Sequence, residues 1–190
     1  MGSAMIKLIL VRHGEAEADL PEASLSKVGR AQADWAAQVL SAYSPLAIIA
    51  APTRPCRETA GIVGAARIET ISVDPRFGEI TAPANVGDIN AWRYANFEST
   101  NPDATSRVWG SMEGASQQWR KSILEAVKSI STDTVIVTDY LVINVIVGAA
   151  LESDRTVVCA PEFGSVTELL MGDGVLQMLS RGEPIVGTRA

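Results

Sequence analysis

A short apolar run, Ile6 to Val11, stops abruptly at Arg12-His13-Gly14-Glu15. A branched run of that length, ended by polar groups and a glycine, predicts a buried strand. From Ser26 to Leu40, Val28, Ala31, Trp35, Ala36 and Val39 recur at helical spacing and predict an amphipathic helix. Leu46 to Ala50 predicts a second buried strand, Arg57 to Ala66 a helix, and Glu69 to Val73 an alternating strand. Pro75 to Asn101 has no clean period and contains Gly78, Pro83 and Gly87. It predicts a long irregular excursion, which in a compact domain usually serves as a lid or wall. Gln117 to Ile130 predicts another amphipathic helix, Thr134 to Val137 a third buried strand, and Ile143 to Leu151 an apolar helix. The strands predicted at Val166 to Met171 and Leu176 to Ser180 are joined by Gly172-Asp173-Gly174, a turn signal.

Strands alternating with helices imply an α/β three-layer sandwich, a mostly parallel sheet with helices on both faces. Ligands on such sheets sit beyond the carboxyl ends of the strands. Two polar segments fall there: Arg12-His13-Gly14-Glu15 and Thr138-Asp139-Tyr140.

Composition narrows the picture. The chain has 190 residues, 47% hydrophobic and 20% charged, which fits one globular domain. Residues 1–5 read as a short expression remnant with no secretory signal, ahead of a single domain at 6–190. A net charge of −6 argues against nucleic acid and against an anionic membrane surface. No apolar run approaches the ~18 residues a bilayer span needs. Cys56 and Cys159 make no disulfide framework and read as buried free thiols. A cytoplasmic location is the expectation, with a small-molecule substrate, no cofactor, and a homodimer left open.

The motifs, taken in order, carry a resemblance. Leu10-Val11-Arg12-His13-Gly14-Glu15 is similar to the signature first strand and loop of the histidine phosphatase superfamily, the phosphoglycerate-mutase-like fold. Leu25-Ser26-Lys27-Val28-Gly29-Arg30-Ala31-Gln32-Ala33 resembles the start of that family's first helix. Ala51-Pro52-Thr53-Arg54-Pro55-Cys56-Arg57-Glu58-Thr59-Ala60 resembles its Ser-Pro-x-x-Arg-Ala-x-x-Thr-Ala segment. Asp74 to Glu79 is similar to the stretch that carries a catalytic Glu. Val135 to Ile143 resembles the strand ending Val-Ser-His-Gly-Gly-Val-Ile, and Gly164-Ser165-Val166-Thr167 the start of a later strand.

The resemblance implies phosphohistidine chemistry. One His attacks phosphorus, two Arg and a second His hold the phosphoryl oxygens, and a carboxylic acid protonates the leaving group. His13 takes the nucleophile position, Arg12 the first Arg position and Glu79 the acid position. Two positions depart. The residue four before Thr59 is Pro55, with Arg54 beside it, and the residue after Thr138 is Asp139. His13 is the single histidine of the chain. Tyr140-Leu141 replaces the Gly-Gly that would follow, which narrows the mouth of the site.

A carboxylate about 4 Å from a phosphate oxygen costs on the order of 4 kcal/mol per unit charge at an effective dielectric near 20. The loss of a cationic hydrogen bond removes roughly 1.5–3 kcal/mol more. With Glu15, Glu79 and Asp139 facing Arg12 and Arg54, the expectation is that ordinary phosphatase or mutase activity is absent or very weak. A His13–Asp139 pair instead suits acid–base chemistry of isomerase, cyclase or lyase type on a small non-phosphate molecule. Arg12 or Tyr140 would polarise an oxygen, under an aromatic cover that includes Trp92 and Trp109. The alternatives are a weak phosphomonoesterase working through His13, with Arg54 in place of the missing Arg, and a non-catalytic binding protein. Asp139 could also merely cap the following helix, Glu79 be a solvated loop carboxylate, and the aromatic residues be core. No short ligand spacing marks a metal site, so none is expected, although His13, Asp139 and Glu79 could meet in one.

Overall fold

The computed structural model describes residues 5–43, 46–67, 70–98 and 107–180. Its strands are β1 (Ile6–Arg12), β2 (Ala47–Ala50), β3 (Ile71–Val73), β4 (Thr134–Thr138), β5 (Val166–Gly172) and β6 (Val175–Ser180). They form one sheet in the order β3-β2-β4-β1-β5-β6. The first four are mutually parallel, β5 runs antiparallel to β1, and β6 antiparallel to β5. The helices are α1 (Lys27–Leu40), α2 (Arg54–Arg67), α3 (Ile89–Phe97), α4 (Gly114–Lys128) and α5 (Tyr140–Ala150).

The expected fold class is found, and burial gives its cause. Leu8, Ile9, Leu10 and Val11 are consecutive and fully buried, as are Val135, Ile136 and Val137. Successive strand residues point to opposite faces, so both faces of β1 and β4 are covered. The edge strand β6 is mostly exposed, with only Leu176 and Met178 half-buried. No helix among the described residues is long and apolar enough to cross a membrane.

The excursion from Pro75 differs from the expectation. It contains α3, capped by Asp88, whose side chain accepts from the Ala91 N–H at 2.9 Å. Only Phe97 of that helix is fully buried, so its apolar face is too sparse to give a period. The rest of the stretch is anchored: Thr138 Oγ1 donates to Phe77 O at 2.8 Å, and Trp119 Nε1 donates to Gly78 O at 3.0 Å. Residues 1–4, 99–106 and 181–190 lie outside the described residues, so most of the expected expression remnant and the end of the excursion are not placed.

The loop after β1 is held from four sides. The His13 N–H donates to Thr138 O at 3.1 Å, and Gly164 N–H to Arg12 O at 2.9 Å. The Gly14 N–H donates to Thr59 Oγ1 at 3.1 Å, and the Glu15 N–H to Gln32 Oε1 at 2.8 Å. The loop also lies directly on the first turn of α1. A Cβ on Gly14 would stand 2.2 Å from Gly29 O, and one on Gly29 would stand 1.9 Å from Glu15 O. Both obstacles are backbone, so neither can swing away. Gly29→Ala is therefore expected to cost about 3 kcal/mol or more. Gly61→Ala, where a Cβ would meet nothing within 4 Å inside α2, should instead stabilise by about 0.5–1 kcal/mol. Urea unfolding of both variants checks the pair. Equal stabilities would mean that the contact carries no strain.

Candidate functional site

The register of β1 against β4 builds the site. Arg12 pairs with Thr138 as the last step of the ladder, so His13 and Asp139 leave adjacent strands at the same level. His13 Nε2 stands 3.1 Å from Asp139 Oδ1, with side chains 13% and 7% exposed. On the other side of the ring, Nδ1 lies 2.7 Å from Gly14 O. A carbonyl can only accept, so Nδ1 carries a proton. At 3.1 Å, Nε2 and the Asp139 carboxylate are within hydrogen-bond reach, and a second proton between them would join the two. Imidazolium–carboxylate and imidazole–carboxylic acid are the two forms of that pair.

Asp139 precedes α5, but its side chain makes no capping hydrogen bond to that helix. It faces His13 through Oδ1, while Oδ2 lies 3.9 Å from the Cys56 thiol. Burial, and then the nearby Asp139 charge, raise the Cys56 thiol well above its ordinary value.

His13 and Asp139 lie on the wall of a cavity of about 1250 Å³, with Cys56 buried behind it. Arg12 is largely buried, and Nη1 donates to Pro161 O at 2.8 Å. Its guanidinium lies 3.7 Å from the centroid of the Phe163 ring and 5.4 Å from that of Tyr140. Burial lowers the Arg12 pKa, and the Asp139 charge opposes that shift. Glu79 lines the same cavity and accepts from Arg93 Nη2 at 2.9 Å. Removal from water, and then Asp139, raise its pKa, while Arg93 pulls it down. A carboxyl held protonated further toward neutral pH suits proton donation. The charged side chains of the wall, besides His13, are Asp19, Glu79, Asp88 and Asp139 against Arg12 and Arg93.

Several expected residues are elsewhere. Glu15 does not line the cavity: Oε1 accepts from Ser26 Oγ at 2.8 Å, and Ser26 caps α1. Arg54 is bound by Glu58 at 2.8 Å and is absent from the wall, where Pro55 stands instead. It supplies no second guanidinium to the site. Trp109 is 1% exposed and packs 5.9 Å from both Phe97 and Trp119. Trp92 packs edge-on to Phe97 at 5.1 Å. Neither Trp lines the cavity, because a ring of that area gains more from the core than from a wet wall. Tyr140 does line it.

The sequence reading missed Phe163, Arg93 and the place of Cys56. The Phe163 ring lies 5.5 Å from that of His13, although it is distant in sequence. Arg93 follows from α3, which was not expected. Cys56 carried a signal, since it lies beside Pro55 in a quoted motif.

Comparison with known proteins agrees with the fold. The model of the histidine phosphatase superfamily, branch 1, matches residues 8–180. A glucosyl-3-phosphoglycerate phosphatase of Mycolicibacterium vanbaalenii is 29% identical over 105 residues, 52% of this chain and 45% of that protein. The match thus spans less than half the length of that relative. Among solved structures, Bacillus stearothermophilus YhfR superimposes with a TM-score of 0.72 at 21% identity, covering 94% of this chain and 98% of that one. Entamoeba histolytica phosphoserine phosphatase, in complex with 3-phosphoglyceric acid, gives 0.69 at 20% identity, covering 95% and 98%. With the family model spanning nearly the whole sheet and both strand ends that carry the site, the chain belongs to branch 1 of the histidine phosphatase superfamily.

Proposed function

We propose that the chain is a slow phosphomonoesterase acting through a phosphohistidine at His13. The observation that carries this reading is the fixed ring: Nδ1–H is tied to Gly14 O, which leaves Nε2 as the reactive nitrogen in a cavity shared with Arg12 and Glu79. The family and its phosphatase relatives support the same chemistry. Nε2 bonds to phosphorus as the ester P–O bond breaks, and Glu79 gives its proton to the leaving oxygen. Water then attacks phosphorus and returns a proton to Glu79. The P–N bond breaks, phosphate leaves, and His13 is regenerated with Nδ1 protonated.

Asp139 explains why the reaction is slow. Nε2 can attack only when Asp139 holds the shared proton, and in that form its O–H donates to a phosphoryl oxygen. As a carboxylate it repels that oxygen, by on the order of 4 kcal/mol at about 4 Å and an effective dielectric near 20. Asp19 and Asp88 on the wall favour a leaving group that is neutral or cationic.

A second reading keeps the site and changes the chemistry. The 3.1 Å contact between His13 and Asp139 also suits acid–base catalysis on a non-phosphate substrate, of isomerase, cyclase or lyase type.

The two readings separate in one experiment. A generic aryl phosphate should release phosphate slowly, with none from His13→Ala. Asp139→Ala should be faster by about tenfold or more, because the repulsion is gone. If neither wild type nor Asp139→Ala turns over aryl phosphate, and inorganic phosphate leaves the one histidine NMR signal unmoved, the phosphatase reading fails and the acid–base reading stands.

The proton donor makes its own prediction. Glu79 must be protonated to act, and its pKa is raised. The rate on alkyl phosphates should therefore fall as pH climbs through a value above the ordinary carboxylate range. Glu79→Gln should remove that alkaline limb and slow alkyl esters by about 10²–10⁴-fold, while sparing aryl esters with good leaving groups. Arg93→Ala, which removes the group that lowers Glu79, should move the limb to still higher pH. A pH–rate profile of the three proteins reads both effects.

A further inference from the structure

We propose that His13, Cys56 and Asp139 form a three-ligand site for a transition-metal ion of the Zn²⁺ class, with the fourth position open to the cavity. Their donor atoms, one N, one S and one O, all lie within 4.8 Å of one another. Nε2 stands 3.1 Å from Asp139 Oδ1, and Sγ 3.9 Å from the other oxygen of that carboxylate, Oδ2. Bonds of about 2.0–2.3 Å to a tetrahedral ion would place such donors roughly 3.3–3.8 Å apart. Only a small closure of the widest gap is needed.

Three further features point the same way. The donors come from three separate elements: the loop after β1, the first turn of α2 and the end of β4. The site is therefore held by the fold and not by one flexible loop. The imidazole already has the support a ligating His normally has, since Nδ1–H donates to the backbone carbonyl of Gly14 at 2.7 Å and so presents Nε2. Charge also favours a cation. Cys56 and Asp139 are buried side by side, and on the wall Asp19, Glu79, Asp88 and Asp139 outnumber Arg12 and Arg93.

Binding exchanges protons for the metal. The Cys56 thiol and the shared His13–Asp139 proton are released as Sγ, Nε2 and the carboxylate bond to the ion. The inference does not rest on phosphohistidine chemistry. The two compete, because a metal on Nε2 occupies the lone pair that would attack phosphorus.

Co²⁺ titration of the chelator-treated protein tests the site. The expected result is one Co²⁺ per chain, with strong visible d–d bands of a four-coordinate ion and a thiolate-to-cobalt charge-transfer band in the near ultraviolet. Cys56→Ser should lose the charge-transfer band, and Cys159→Ser should keep it. His13→Ala and Asp139→Ala should each weaken binding by more than about tenfold, which decides the matter if Cys56→Ser fails to fold. The proposal is overturned by the absence of a charge-transfer band, by a band that survives Cys56→Ser, or by unchanged affinity in both alanine variants. None of these readouts depends on turnover, so the phosphatase reading can fail while this one stands.

Discussion

The parallel pairing of β1 with β4 is the constraint on which the site depends. Because Arg12 is opposite Thr138, the next residue on each strand has no choice of neighbour. A slip of one residue would turn every side chain of the strand to the other face and separate His13 from Asp139. The polar residues at the ends of the buried run oppose that slip, since it would carry Lys7 or Arg12 into a stretch that is fully buried on both faces. The hydrophobic core thus sets the distance between two polar groups that contribute little to it.

Around that pair the site balances opposing demands. Burial disfavours every charge at once: it raises Glu79 and Cys56 and lowers Arg12. Asp139 adds to the first two shifts and opposes the third. A single carboxylate therefore acts on the Glu79 carboxyl, the Cys56 thiol and the Arg12 guanidinium together. This also makes the cavity less anion-friendly than a site with a second His in place of Asp139 would be.

Much of this was legible in the chain itself. The apolar runs of β1, β2 and β4 and the Gly-Asp-Gly turn before β6 placed the sheet, and the ordered motifs placed His13, Arg12, Glu79 and Asp139 near its strand ends. What sequence could not give was direction. Arg54, one residue from the wall, points to Glu58, because a helix turns each successive side chain by about 100°. Glu15 supports a helix cap and does not face the cavity. Trp92 and Trp109 sit in a stretch without a period, where nothing distinguishes a wall residue from a core residue until α3 is known. Phe163 reaches His13 only through a loop whose path no local pattern encodes.

Asp139 occupies the N-cap position of α5 without capping it. Most residues at a helix start are under a double obligation, to the fold and to whatever chemistry lies nearby. Here the first obligation is lifted. The scaffold fixes where the side chain at 139 begins and leaves its identity free, so this position works as a socket. Changing what stands in it asks nothing new of the helix start, so the architecture can persist while the occupant of the position varies.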